Sequence, residues 1–456
     1  MRSGAAFTVL LLCAASAAAQ EDDDLGRIPG TIADAPAAAP VATAHGKFFV
    51  ENAVSLSSYR GTFAVPLPYK PSSRWADRTS LDALDQWTLT PSLTATVSDR
   101  LSVSFADGVG FPEESVRNDL REAYLTWEPV PQTYLEAGRI NVRNGVAYAF
   151  NPTDFFKTRT SVAQASADPS AQRENRLGTF MFRGQRIFDG GSLTFIYAPK
   201  LHKPAPLGRT ADWIDPNIDQ TNTADRFLAS LSFEIEEFSP QVLVYHESGR
   251  TKFGLNISHP VGGSIIAYAS WAGGVAPNLV ADAIAFGERT GTFPAIATTG
   301  FPIDTSRAFR NQLSLGAAWS SIEKISVTVE YEYNEAGFSK QDWRDWFSTG
   351  ADPVYAQLDW YVRGYTGDQQ QPMSQHQVAV WSSWYEPFGI NHLGFSGFAM
   401  ISPLDGSTQA QISGNYDLSD SWSIGVFLGG STGGGRTEWG SLSSAGSAIF
   451  QVVRYL

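Results

Sequence analysis

From Lys47 onward the chain alternates apolar and polar residues with a period of two, and no other feature restricts its fold as much. In residues 325–334, Ile325, Val327, Val329, Tyr331 and Tyr333 fall on one side of an extended chain. Ser326, Thr328, Glu330, Glu332 and Asn334 fall on the other. A helix would scatter both sets around its axis, whereas a strand separates them. Residues 227–236 divide in the same way, with Phe227, Ala229, Leu231, Phe233 and Ile235 opposite Leu228, Ser230, Ser232, Glu234 and Glu236. Residues 87–97 read as a third strand, with Trp87, Leu89, Leu93, Ala95 and Val97 against Thr88, Thr90, Ser92, Thr94 and Thr96. Weaker copies recur to the end of the chain and predict about 18 strands (range roughly 16–18), one of them centred near residue 92. No apolar run reaches the roughly 18 residues of a membrane-spanning helix, while most predicted strands have the length that crosses hydrocarbon at a tilt of ~45°.

The connections carry a second regularity. Short links are expected at Ser98-Asp99-Arg100, Val130-Pro131-Gln132, Asp189-Gly190-Gly191, Ser239-Pro240, Pro260-Val261-Gly262, Ser320-Ser321, Pro387-Phe388-Gly389 and Leu418-Ser419-Asp420. Between them fall longer links over residues 60–85, 106–118, 145–173, 200–225, 272–308, 336–375 and 430–446; only those near Gly249 and Gly406 are short where a long one is due. Short turns at one end and long loops at the other describe a barrel with periplasmic turns and extracellular loops. A soluble sandwich also alternates, but only 17% of this chain is charged, against the quarter or more that a soluble surface carries. Trp87, Trp127, Trp271, Trp319, Trp381, Trp384 and Trp422 lie near predicted strand ends, which suits an interfacial girdle, although some of them fit a core equally well. The expected fold class is therefore all-β: a single-chain antiparallel transmembrane β-barrel over residues 46–456.

The first residues read as a secretory leader. Arg2 precedes an apolar core over residues 5–12, and Ala17-Ala18-Ala19 offers a cleavage site before Gln20. Residues 1–19 are expected to be a signal peptide. Residues 20–45, acidic and then rich in Ala and Pro, read as a flexible periplasmic segment or a lumen plug. The single cysteine, Cys13, lies in the leader, so the mature chain would have no disulfide, thiol chemistry or cysteine-bound metal. A net charge of -13 argues against nucleic acid as a partner. The terminal residues 448–456 resemble the closing strand of outer-membrane barrels, which the barrel-insertion machinery recognises. Such strands end in an aromatic residue, and this one departs from them with Arg454 and Leu456.

The most distinctive polar stretch covers residues 139–186. With Ile140 and Val142 toward lipid, Arg139, Asn141 and Arg143 face the lumen; with Phe180 and Phe182 toward lipid, so does Arg183. Arg310, beside Gln312 and Ser314, follows the same parity, and Lys157, Arg159, Arg173 and Arg176 lie in or beside the intervening loop. A basic lumen focuses the field on anionic solutes, but Glu122, Glu136, Asp154 and Glu174 are interleaved, so the arginines fit wall-bracing pairs equally well. Asn151-Pro152-Thr153-Asp154 has turn chemistry, with Phe155 and Phe156 as burial anchors, either as an inward constriction loop or as an extracellular turn. An Arg-bearing strand, an Asn-Pro-Thr-Asp loop and a second Arg-rich strand resemble uncharacterised outer-membrane families related to alginate-export-type barrels and porins. That resemblance implies a basic lumen, with Arg139, Arg143, Arg183 and Arg310 in it.

Residues 334–367 break the alternation. Trp343, Trp346 and Phe347 at i, i+3 and i+4 predict one or two turns of amphipathic helix over the barrel mouth, packed in the loop or stacking on sugars. No phosphate-binding, zinc-binding or nucleophile-elbow motif occurs, and the six histidines are scattered, so neither a catalytic role nor a cofactor or metal is expected. The expected function is passive passage of small polar or anionic solutes through an outer-membrane pore. The constriction candidates are Arg139, Arg143, Asp154, Arg183 and Arg310, and the loop aromatics are Phe155, Trp343 and Trp346. The expected partners are outer-membrane lipid, the insertion machinery and the solutes. A structural or assembly component of the envelope is the alternative; a hydrolase using His246 or His392 with a strand serine is a more distant one.

Overall fold

The computed structural model of the chain describes residues 44–60, 73–106, 113–201, 218–293 and 303–456. The expected leader over 1–19 and most of the segment over 20–45 lie outside them. Eighteen antiparallel strands form one closed sheet in chain order, with β1 paired to both β2 and β18. The strands are β1 (Ala44–Tyr59), β2 (Ser73–Thr90), β3 (Leu93–Ala106), β4 (Glu113–Val130), β5 (Thr133–Ile140), β6 (Thr179–Phe188), β7 (Gly191–Ala198), β8 (Arg226–Phe233) and β9 (Gln241–Glu247). They continue with β10 (Arg250–Val261), β11 (Ile265–Ala276), β12 (Ala308–Ser320), β13 (Ile325–Asn334), β14 (His376–Tyr385), β15 (Leu393–Ile401), β16 (Thr408–Ser419), β17 (Trp422–Thr432) and β18 (Ser444–Tyr455).

Period two becomes an inside and an outside. On β13, Val329 and Tyr331 are exposed outward while Glu330, Glu332 and Asn334 are buried inward. On β8, Phe227 is exposed and Leu228 and Ser230 are buried. Large apolar side chains thus stand on the outer wall all around the sheet, as hydrocarbon contact requires. Closure removes every sheet edge, which a membrane demands because lipid cannot satisfy free N–H and C=O groups. At the seam, Arg454 and Leu456 have local partners. The Arg454 guanidinium lies over the Trp422 ring at 5.3 Å, and the Leu456 N–H donates to Phe48 O at 2.8 Å.

Residues 87–97 are not one strand. β2 ends at Thr90 and β3 begins at Leu93, so Pro91 and Ser92 form the turn. Trp87 pairs with Ala95 and Thr88 with Thr94. Partners of equal parity share a face, so the alternation passes through the hairpin undisturbed and disguises it as a continuous strand. Proline, which cannot donate to a ladder, is the residue that marks the break. The short link expected at Ser98-Asp99-Arg100 accordingly lies inside β3, with Ser98 and Arg100 buried, and the link expected over 60–85 shrinks to 60–72.

Five α-helices and a 3-10 turn (Pro387–Gly389) complete the described residues: α1 (Pro169–Glu174), α2 (Ile218–Thr221), α3 (Leu279–Thr290), α4 (Lys340–Thr349) and α5 (Pro353–Asp368). The residues expected to give one or two helical turns build the whole of α4, and α5 follows it. A capping box opens α4, with Ser339 Oγ accepting from the Asp342 N–H and the Asp342 carboxylate from the Ser339 N–H. Trp343, Trp346 and Phe347 are buried with Leu279, Phe286, Leu358, Val362 and Tyr365 in one apolar cluster that joins α3, α4 and α5 at the long-loop end. Trp381 is not a girdle residue: it lies mid-strand on β14, on the face of the buried Gln377, Ala379 and Ser383.

Candidate functional site: a loop bonded across the lumen

The 38 or so residues between β5 and β6 fold into the barrel rather than away from it. Asn151 Oδ1 accepts from the Thr153 N–H at 3.2 Å, the Asx turn its sequence suggests. Gly145 adopts φ +81° against this turn. A Cβ there would stand 2.1 Å from Asn151 Oδ1, so only glycine fits. Phe155 stacks on Tyr245 of β9 at 4.5 Å and Phe156 meets the same ring edge-on at 5.9 Å. Ile140 and Val142, expected toward lipid, are buried in this cluster with Met181, Leu228 and Leu243. The loop lies against the inner wall here, so apolar residues are needed on both faces of the strands.

Charge holds the loop from its other side. The Arg176 guanidinium forks onto Asp154, Nη1 to Oδ2 at 2.8 Å and Nη2 to Oδ1 at 2.9 Å, and Arg173 Nε lies 3.3 Å from Oδ2. Burial opposes ionisation of Asp154, yet Arg176 and Arg173 outweigh it and hold the carboxyl below its ordinary range. Half-buried Lys157 donates to Asn151 O at 2.9 Å and lies 4.4 Å over the Phe150 ring; burial pushes its amine down to about 7.

The loop then reaches the remaining walls. Thr153 Oγ1 donates to Asn256 Oδ1 of β10 at 2.8 Å. The Tyr148 and Phe150 N–H groups donate to Glu330 and Glu332 of β13 at 2.7 and 2.9 Å. Trp381 Nε1 of β14 donates to Asp168 at 2.7 Å, the Ala167 N–H to Gln411 of β16 at 2.9 Å, and Arg100 Nη1 of β3 to Ala163 O at 3.3 Å. Its outer turn meets the residues after α5, where the Arg159 N–H donates to Asp368 O at 2.8 Å. Arg100 itself belongs to an ion network on β1–β4: Glu51 binds Arg78 at 2.9 Å and Arg100 at 3.1 Å, and Asp82 binds Arg100 at 2.8 Å and Arg121 at 3.1 Å. None of Glu51, Arg78, Asp82, Arg100, Arg121, Asn256, Glu330 or Glu332 stood out as a site residue in the sequence. The turn expected at residues 98–100 concealed the inward parity of Arg100, which was the available signal.

The residues singled out from the sequence occupy distinct settings. Arg139, expected toward the lumen, instead pairs with Phe180 on the parity of the outward Phe182, because Ile140 turns inward to the loop; it is 2% exposed and its Nε donates to Gly178 O at 3.0 Å. Arg183 pairs with Glu136 across the β5–β6 ladder. Arg143 is exposed, with no ion pair or hydrogen bond of its side chain among the described residues, and it stands within electrostatic reach of Glu122 and Arg173. Arg310 lies apart from these, near the long-loop end of β12, partly exposed and within reach of Asp304 and Tyr333. Phe155 is in the loop's apolar anchor; Trp343 and Trp346 are buried in the helical cluster, where the Arg363 guanidinium lies 5.7 and 5.3 Å from their rings.

These features define an 18-stranded transmembrane β-barrel whose longest inward loop is bonded across its interior. Among solved structures, OccK5 (OpdH) of Pseudomonas aeruginosa is similar with a TM-score of 0.51 at 7% identity, over 91% of this chain and 98% of that one. At that identity the likeness is one of barrel fold. OccK11 (OpdR) of Pseudomonas aeruginosa aligns at 0.49 with 9% identity over 91% and 96%, and OccAB3 of Acinetobacter baumannii at 0.49 with 8% over 91% and 99%. No family model matches the chain, and no curated protein matches it in sequence.

Proposed function

We propose that the chain is a passive channel of a Gram-negative outer membrane, admitting small polar or anionic solutes past a constriction formed by residues 141–178. Barrels of about 16–18 strands are wide enough to leave an aqueous path, and an inward loop narrows that path. The observation that carries this reading is the exposed Arg143, without an ion pair among the described residues, at the base of a loop whose buried Asp154, Arg173 and Arg176 bind one another. In a narrow low-dielectric passage a guanidinium without an ion pair attracts anions. Arg143 is the residue assigned to solute contact, with Arg310 as a second cation toward the long-loop mouth. Arg139, Asp154 and Arg183 frame the constriction, and Phe155 anchors it. Trp343 and Trp346 pack the cap. The reading includes a cleaved leader over 1–19, a periplasmic segment over 20–45, and recognition of β18 by the insertion machinery.

Conductance of the purified barrel in a planar bilayer tests the proposal. Discrete channels with anion preference are expected, and Arg143→Gln should move the reversal potential toward zero selectivity. A barrel that conducts no ions at any voltage would be a structural component of the envelope instead.

A further inference from the structure

The outer wall carries a groove that the channel reading does not use. It has a volume of 970 Å³ and crosses β4–β9 on the lipid side. One cross-strand row along it runs Leu125, Ala137, Phe182, Tyr197, Phe227 and His246, each paired with the next in the ladder. In the adjoining row Gly184 and Ala229 replace large side chains and deepen the floor between aromatic ridges. Tyr197, Phe227 and His246 are each one residue from the long-loop end of their strands, so the groove opens at that rim.

A second pocket of 280 Å³ begins where the groove ends and shares Phe227 and His246 with it. Lys200 and Arg289 line it. Lys200 is exposed, and its amine has no ion pair among the described residues. Arg289 has a buried Nε without a hydrogen-bond partner, and its Nη2 lies 3.7 Å from the Glu247 carboxylate. The carboxylate in the pocket, Asp225, accepts from the Lys200 N–H at 2.9 Å and from the Tyr197 hydroxyl at 3.4 Å. The site is thus an apolar slot ending in Lys200 and Arg289 at the long-loop rim, which is the complement of an acyl chain carrying an anionic phosphate.

We propose that this wall binds a membrane lipid whose headgroup ends in a net-anionic phosphate, drawn from the leaflet on the long-loop side. One acyl chain lies in the Gly184–Ala229 groove and the phosphate meets Lys200 and Arg289. A Cβ at Gly184 would meet only the end of the Leu135 side chain, at 3.5 Å, so Gly184→Leu fills the groove without disturbing the wall.

The test is native mass spectrometry of the full barrel in nonionic detergent, offered equimolar phosphatidic acid and phosphatidylcholine of identical chains. Variants are first checked for folding by heat-modifiable gel mobility. One bound phosphatidic acid per barrel, favoured at least tenfold over phosphatidylcholine, is expected. The double variant Lys200→Gln/Arg289→Gln should bring that ratio near one, and Gly184→Leu should reduce retention of both lipids severalfold. Equal retention of the two lipids by the unaltered barrel would overturn the proposal, as would a preference unmoved by the double variant. Full competition by inorganic phosphate would reduce the pocket to an ion site without the groove. A dimer of barrels dissociated by Gly184→Leu would assign the groove to a second copy instead.

Discussion

Asp154 is the residue on which the lumen loop most depends, and Asp154→Asn tests that directly. Its carboxylate is 2% exposed and takes both arms of Arg176, itself 1% exposed, together with Arg173. The amide keeps the shape but leaves two guanidinium groups with no counter-charge at a buried site. Breaking one side of a buried pair costs about 3–5 kcal/mol. The wall ladders do not pass through Asp154, so this cost falls on the loop and not on the barrel. Local opening should therefore increase roughly 10²- to 10⁴-fold. Hydrogen exchange reads it out at the Tyr148 and Phe150 amides, which donate across the lumen to Glu330 and Glu332. Both should lose about two to four decades of protection while β13 amides keep theirs. The pH dependence has a fixed sign. The folded carboxyl titrates below its ordinary value, so its contribution is complete above the ordinary carboxylate range and is lost only as pH falls through the lowered value. Unchanged protection in Asp154→Asn at neutral pH would refute the idea that this ion cluster holds the loop.

Other expectations concern separate parts of the molecule. Trp381→Phe removes the indole donor to Asp168 and should destabilise the loop by about 1.5–3 kcal/mol, read as faster proteolysis within residues 141–178; a wild-type digestion rate would count against the contact. Gly145→Ala places a Cβ against Asn151 and Thr153 in a left-handed conformation, so it should increase open-channel noise in bilayer recordings. Asp359 on α5 is fully buried with neither carboxylate oxygen hydrogen-bonded, and burial pushes its pKa up to about 8. A raised folded pKa means that stability declines as pH rises from the ordinary carboxylate range, with the loss complete above about 8. The helical cluster should accordingly loosen at high pH by amide exchange, and Asp359→Asn should abolish that dependence.

Strand parity and loop spacing were legible in the chain because both are local. A strand needs only alternating neighbours, and a wall facing lipid on one side and a polar interior on the other imposes that alternation on nearly every segment. The amphipathic spacing of Trp343, Trp346 and Phe347 was legible for the same reason, since a helix face also repeats within a few residues. The turn at Pro91-Ser92 escaped because an equal-parity hairpin leaves the pattern intact, and Arg100 was misplaced with it.

What the sequence by itself determined is thus a closed, lipid-facing sheet with long connections at one end. Only the tertiary structure decided that residues 141–178 turn inward. That choice depends on partners far away in the chain. Asn256, Glu330, Glu332, Trp381 and Gln411 all bond to the loop, and barrel closure alone brings them within reach of it. The same holds for the arginines. The parity of Arg183 and Arg310 was readable while that of Arg139 was reversed, and whether each arginine braces a wall or stays open to solvent depends on the groups opposite. The β5–β6 register gives Arg183 a partner in Glu136, whereas Arg143, beyond the end of β5, has no ion pair among the described residues.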